Sequence, residues 1–334
     1  MAMKRARRHL ENEVALYYIG SKHSLGPVLR DRMVQQWSDL NEWTLVDAFA
    51  GSGGFSTQTG AAFKNVIAND LETYSRCVLT ALFVPPDELP DFSRIVPRAG
   101  YITREYCQKR TFFTEENGAI IDGARDFIKT IPAGTRRDYA IGCLLMAADR
   151  VANTTSVYGA YLKNIKPSAQ RVLTIKHPTR SPIAGQAEVW QFDAAEACKK
   201  APEKSLIAID PPYTERPYGC NYTPLNVIAD VDHEPELVKM GGFPVDTPWN
   251  RSAWNNKKKA RAQLALVLTE TPAQRVVMNY NTDGLLSEEE ILEEFEAAGW
   301  TCVVERYEYT RFRARGTNAD NPKKLFELFF LANK

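Results

Sequence analysis

Apolar residues along this chain gather in short runs, each closed by an acid or by a cluster of turn residues. Leu45 with Val46, then residues 66–68, 187–192 and 206–209, have the length and the bounding chemistry of strands. Between them the period changes. Leu25, Val28, Leu29, Met33 and Trp37 recur at helical spacing, as do Ile141, Leu144, Leu145 and Ala148. Strand and helix therefore alternate up to residue 84 and again from residue 187, which predicts an α/β fold with a largely parallel sheet. From Pro85-Pro86 and Pro90 to residue 186 that alternation is lost and the pattern is mainly helical. Residues 1–84 and 187–334 thus read as two parts of one α/β domain, with 85–186 inserted between them.

The last third extends the pattern. Residues 257–269 look helical, 275–279 form a strand, and Ser287 caps an acidic helix that Gly299 ends. Stretches 301–310 and 325–331 are strand-like with no helix between them. They should pair as a terminal hairpin, an antiparallel edge on an otherwise parallel sheet. Residues 214–256, rich in Tyr, Pro, Asn and Trp, read as a long functional loop.

Composition mostly excludes. The 334 residues carry a net charge of +1, with 44% hydrophobic and 25% charged positions, so no global basic field is present. Contact with nucleic acid would have to come from local clusters: residues 4–8, residues 257–261, and Arg311, Arg313 and Arg315. Tyr158, Tyr161, Lys163 and Lys166, followed by Arg171, Lys176, His177 and Arg180, suit phosphate contact and base stacking, or equally the decorated surface of a helical insertion. Six cysteines lack any Cys-x-x-Cys pair or matching histidine spacing, which argues against zinc and against a disulfide framework. No apolar run approaches the roughly 18 residues of a membrane span, so a soluble, cytoplasmic protein without membrane contact is expected.

Candidate chemistry sits where the strands end. Asp210-Pro-Pro-Tyr213 closes the run 206–209, and two prolines forbid both a continuing ladder and a helix. The stiff turn offers the Asp210 carboxylate and the Pro211 carbonyl to an exocyclic amine, and Tyr213 to the ring that bears it. Upstream, Asp47 is followed by Phe49 and the turn Gly51-Ser-Gly-Gly54, whose glycines let the backbone approach a ligand. Neither a dinucleotide fingerprint nor a phosphate loop is present. Asp70, about twenty residues on, is placed to take ribose hydroxyls, to cap the next helix, or both. Glycine turn and spaced acid together suggest a nucleoside ligand such as S-adenosylmethionine. Asp193 could accept from the amino group of its adenine or cap the helix after it. Gly20-Ser-Lys22 ahead of a helix offers N–H groups and an ammonium to an anion.

Tyr18-Ile-Gly-Ser-Lys22, Asp47-Ala-Phe-Ala-Gly-Ser-Gly53, Asp70 and Asp210-Pro-Pro-Tyr213, in that order, resemble the D12 class of adenine-specific DNA methyltransferases, the alpha group that includes Dam methylase. The resemblance implies a Rossmann-like methyltransferase sheet with an inserted target-recognition region and double-stranded DNA as substrate. It implies S-adenosylmethionine as cofactor, with Lys22 on the methionine carboxylate and Tyr17 and Tyr18 lining the pocket. Asp47 and the Phe49-to-Gly53 turn would cradle the methionine end, with Asp70 on the ribose and Asp193 on the adenine. Asp210, Pro211, Pro212 and Tyr213 would hold a flipped adenine. No metal is implied, a monomer is the default, and a cognate restriction endonuclease is a functional partner to expect. Rival readings are a methylase of another amine, such as an RNA guanine or a protein glutamine, and a non-catalytic DNA-binding relative.

Overall fold

The alternation of buried runs and amphipathic segments closes into a sheet covered by helices on both faces. The computed structural model describes residues 15–238, 240–246, 250, 252–309 and 325–334. Its strands are β1 (Thr44–Asp47), β2 (Asn65–Asn69), β3 (Ala187–Trp190), β4 (Ser205–Ile209), β5 (Leu237–Val238), β6 (Phe243–Pro244), β7 (Arg275–Asn281), β8 (Thr301–Tyr309) and β9 (Leu325–Asn333). All but β5 and β6, which pair as a small separate ribbon, form one sheet in the order β3-β2-β1-β4-β7-β9-β8. The first five of that order run parallel, while β9 pairs antiparallel with both β7 and β8. The expected terminal hairpin is therefore present and supplies the antiparallel edge.

Side chains alternate across the sheet because successive residues of a strand face opposite sides. Val46, Ile67, Ile207, Val276 and Met278 face one cluster, shared with α6 (Ala194–Lys199), α8 (Lys257–Glu270) and α9 (Glu288–Ala297). Leu45, Val66, Leu206 and Val277 face another, with Leu29 and Met33 of α1 (Gly26–Gln36) and Phe55 of α2 (Gly54–Thr59). Ser287 and Glu290 cap α9 reciprocally, each side chain accepting from the other's backbone N–H. Ser287→Ala should cost about 1 kcal/mol of stability in urea unfolding. An unchanged midpoint would show that packing alone holds the helix.

Between β2 and β3 the chain crosses over through α3 (Thr73–Phe83), a π-helical segment (Thr103–Gln108), α4 (Glu115–Lys129) and α5 (Thr135–Arg150). Gly142 lets α5 lie directly on α3, since a Cβ there would sit 2.2 Å from the Cys77 carbonyl oxygen. One hydrophobic cluster runs from α3 through α4 and α5 to α7 (Tyr218–Ala229).

Two expectations need correction. The stretch 214–256 is not simply loop: it contains α7, which is kinked at Tyr222 and accommodates Pro224 beyond the kink. Its buried Tyr222, Leu225, Val227 and Ile228 outweigh the Pro and Asn that suggested a loop. Tyr158 is not a stacking surface either. It is fully buried, and its hydroxyl donates to Asp149 at 2.8 Å. Lys166 directs its ammonium to the Thr154 carbonyl. Residues 4–8 and Arg311, Arg313 and Arg315 lie outside the described residues.

Candidate active site

The strand order reverses between β1 and β4, and the crevice beyond the carboxyl ends of such neighbours is where open α/β sheets bind ligands. A cleft lies there. Its walls bring together segments remote in sequence: the 18–22 turn, the β1–α2 turn, the end of β2, Phe192 with Asp193, and Asp210 with Pro212.

The β1–α2 turn is shaped by glycine. Gly51 has φ +53°, and a Cβ there would meet the Tyr18 ring at 2.7 Å. Gly53, at φ +78°, starts α2 from the left-handed region. Asp70 fastens this turn from the neighbouring strand, accepting from Gly51 N–H at 2.8 Å and from Glu72 N–H at 2.9 Å. Burial nevertheless pushes its carboxyl above the usual range. Asn69 clasps the adjoining loops, donating to the Ala48 and Phe192 carbonyls and accepting from Phe192 N–H.

Tyr18 lines the cleft and stacks on Tyr222 and Tyr218 at centroid distances of 4.8 and 5.3 Å. Tyr17 does not line it. Its side chain is 38% exposed beside a separate hollow, while its N–H donates to Asp149 at 2.7 Å. Phe49 lines the cleft and meets Trp254 edge-on at 5.3 Å. Asp193 lines it too, while its Oδ1 caps α6 by accepting from Ala195 N–H.

Asp47 lies buried beneath the turn, accepting from the Ser56 hydroxyl at 2.6 Å. Burial pushes its carboxyl up to about 7, and the Asp210 carboxylate adds to the rise. Glu72, which sequence reasoning did not single out, lines the same cleft. Burial pushes it up to about 7 against the opposing hydrogen bond from Asn226. Tyr218, Asn250 and Asn255 were missed likewise, being hidden in the stretch read as loop. Asn255 donates to the Thr214 carbonyl at 2.9 Å and so ties that stretch to the Asp-Pro-Pro-Tyr turn.

These raised carboxyls set a pH dependence. Asp47 and Glu72 keep their protons longer in the folded protein than in the unfolded chain. Their preference for the fold is complete below about pH 4 and is lost as pH rises through about 7. Carboxylates held low, such as Asp39 at about 2 beside Arg275 and Trp43, are ionised throughout that rise and do not offset it. The melting temperature of the ligand-free protein should therefore fall by on the order of 5 °C between pH 5 and pH 8. Asp47→Asn should flatten the profile, and an equally steep Asp47→Asn profile would remove Asp47 as the cause.

At the Asp-Pro-Pro-Tyr turn, Asp210 receives two donors on Oδ1: the Lys22 ammonium at 2.9 Å and the Tyr213 hydroxyl. Lys22 also donates to the Tyr213 oxygen at 2.9 Å and to the Gly20 carbonyl at 3.1 Å. Three acceptors match the three N–H bonds of an ammonium, so in this arrangement Lys22 has no donor left for a cofactor carboxylate. The pair is largely dry, with side chains 4% and 19% exposed. Tyr213 meets Tyr280 edge-on at 5.0 Å. Burial and the Asp210 carboxylate hold its hydroxyl well above the ordinary phenol range.

Comparison with known proteins points the same way. The sequence profile of the D12 class N6 adenine-specific DNA methyltransferases matches residues 18–261. The chain is 32% identical to the Type II methyltransferase M.NlaIII of Neisseria lactamica over 95% of this chain and 99% of that one. It is 30% identical to the Type II methyltransferase M.CviAII of Paramecium bursaria Chlorella virus 1, over 94% and 97%. A similarity of 24% to the modification methylase StsI of Streptococcus sanguinis covers 94% of this chain but only 51% of that longer protein.

Proposed function

The chain belongs to the D12 class of N6 adenine-specific DNA methyltransferases, and from that premise we propose that it methylates N6 of an adenine extruded from double-stranded DNA at a specific site, with S-adenosylmethionine as the donor. The observation that carries this reading is that Asp210 lines the same cleft as Gly51 and Asp70. Acceptor turn and nucleoside-type pocket thus open into one space.

The cleft suits a nucleoside carrying a cationic tail. Asp70 would take the ribose, Asp193 the adenine amino group, and the Phe49-to-Gly53 turn, supported from below by Asp47, the methionine end. Tyr18 would close the aromatic side. S-adenosylmethionine supplies an electrophilic methyl group on a sulfonium sulfur. The remaining work falls to the protein, because the N6 lone pair of adenine is delocalised into the purine and is a poor nucleophile. Hydrogen bonds from N6–H to Asp210 and to the Pro211 carbonyl favour a tetrahedral nitrogen with its lone pair directed along the line of attack. Catalysis is then positioning plus preorganised dipoles. Extruding the base costs a few kcal/mol, and stacking on Tyr213 offsets part of it.

Residues 85–186 are the target-recognition region in this reading, and the enzyme acts as a monomer beside a restriction endonuclease of the same specificity. Among the described residues no helix is long and apolar enough to cross a membrane, and a cytoplasmic location follows from the DNA substrate. Labelled S-adenosylmethionine offered with unmethylated duplex DNA, total RNA and bulk protein should label the DNA alone. Label in RNA or protein instead would move the target amine elsewhere.

A further inference from the structure

Tyr18 forms the aromatic side of the cleft, yet the segment that carries it has no secondary structure of its own. Residues 17–22 lie in neither helix nor strand, so no ladder fixes them. Their place is set by contacts with elements remote in sequence. After Tyr18, Ile19 N–H donates to the Tyr222 hydroxyl at 2.7 Å. Before it, Tyr17 N–H donates to Asp149 Oδ2 at 2.7 Å. The Tyr18 hydroxyl itself shares a hydrogen bond with that of Tyr74 at 3.2 Å.

Asp149 stands out among these partners. It lies near the end of α5, within the crossover from β2 to β3, where Leu144 to Ala148 are all buried and apolar. A buried carboxyl at such a position is costly unless its oxygens find donors. Both do. Oδ2 accepts from Tyr17 N–H, and Oδ1 accepts from the Tyr158 hydroxyl at 2.8 Å. Tyr158 N–H in turn donates to the Asn221 carbonyl at 2.7 Å, one residue before Tyr222. Asp149 therefore ties the 17–22 segment and α7 to the crossover helix. An apolar residue would serve core packing; what the carboxyl adds is a fixed acceptor for the backbone that carries Tyr18.

We propose that Asp149 is a positioning residue for the cofactor: by holding Tyr17 N–H it keeps the Tyr18 ring stacked on Tyr218 and Tyr222, where it walls the nucleoside pocket. Without that acceptor the segment keeps its hold at Ile19 but loses the one ahead of Tyr18, and the ring is free to tilt out of the stack. This inference rests on the cofactor reading above.

Isothermal titration of the full-length protein with S-adenosylhomocysteine tests it, using Asp149→Ala, Tyr18→Ala and the double variant. Asp149→Ala should weaken binding about tenfold, Tyr18→Ala at least as much, and the double variant no more than Tyr18→Ala. Asp149→Asn keeps an oxygen for Tyr17 N–H and should lose only about threefold. It replaces the alanine variant in the cycle should that one not fold. A purely structural role would lower the fraction of competent molecules, read as stoichiometry, and leave their affinity alone. Wild-type affinity in the Asp149 variant carried through the cycle overturns the proposal. So does wild-type affinity in Tyr18→Ala, or an equal loss from the Asp149 change with and without Tyr18. Wild-type protein that does not bind S-adenosylhomocysteine would instead refute the cofactor reading itself, and the proposal with it.

Discussion

Asp210→Ala abolishes methyl transfer, with a rate loss of at least about a thousandfold, while S-adenosylmethionine still binds within a few-fold. The expectation follows from where Asp210 sits. It is on the cleft wall with its Oδ1 directed at Lys22 and Tyr213, whereas the glycine turn is fastened by Asp70 and not by Asp210. The alanine variant should also be less stable, because it leaves the buried Lys22 ammonium without its carboxylate. Asp210→Asn separates the two effects. It retains an oxygen acceptor for Lys22 and should recover part of the stability, with much lower transfer than wild type. Cofactor affinity and turnover, measured on the folded fraction, distinguish the roles. Loss of cofactor binding in both variants would place Asp210 in the cofactor site.

The second large effect is on the cofactor side. Asp70→Asn should weaken S-adenosylmethionine binding by at least about a hundredfold, corresponding to roughly 2.7 kcal/mol. Both Asp70 oxygens accept from backbone N–H groups, those of Gly51 and Glu72. An asparagine offers one oxygen and turns an NH2 group against the other N–H, so the turn loses its fastening as well as its ribose acceptor. Isothermal titration with the cofactor product, S-adenosylhomocysteine, measures this without turnover. Affinity within a few-fold of wild type would mean that the ribose is held elsewhere.

Much of this architecture was legible because its signals are local. Residues 44–47, 65–69 and 205–209 are short runs bounded by acids and turn residues, and they form β1, β2 and β4. Ser287 and Gly299 carry cap chemistry that acts within a few residues of themselves. What was hidden depends on tertiary context. Pro224 and the neighbouring Asn residues argue against a helix locally, yet α7 forms because its apolar residues reach the core. Tyr17 and Tyr18 are adjacent in sequence, but only Tyr18 lines the cleft. Tyr158 reads as a surface aromatic until Asp149 is seen to receive its hydroxyl in the core. The partner of Lys22 lies 188 residues away, so nothing in the Gly-Ser-Lys turn indicates that its ammonium meets Asp210 rather than a ligand.

The most direct test of the central claim is single-base mapping of modified adenine in DNA from cells expressing the wild-type chain or Asp210→Ala. N6-methyladenine at one short sequence throughout the wild-type DNA, and its absence with Asp210→Ala, is the result expected. Modification of cytosine instead of adenine, or an unchanged adenine pattern in Asp210→Ala, would contradict an account in which Asp210 holds the target amine.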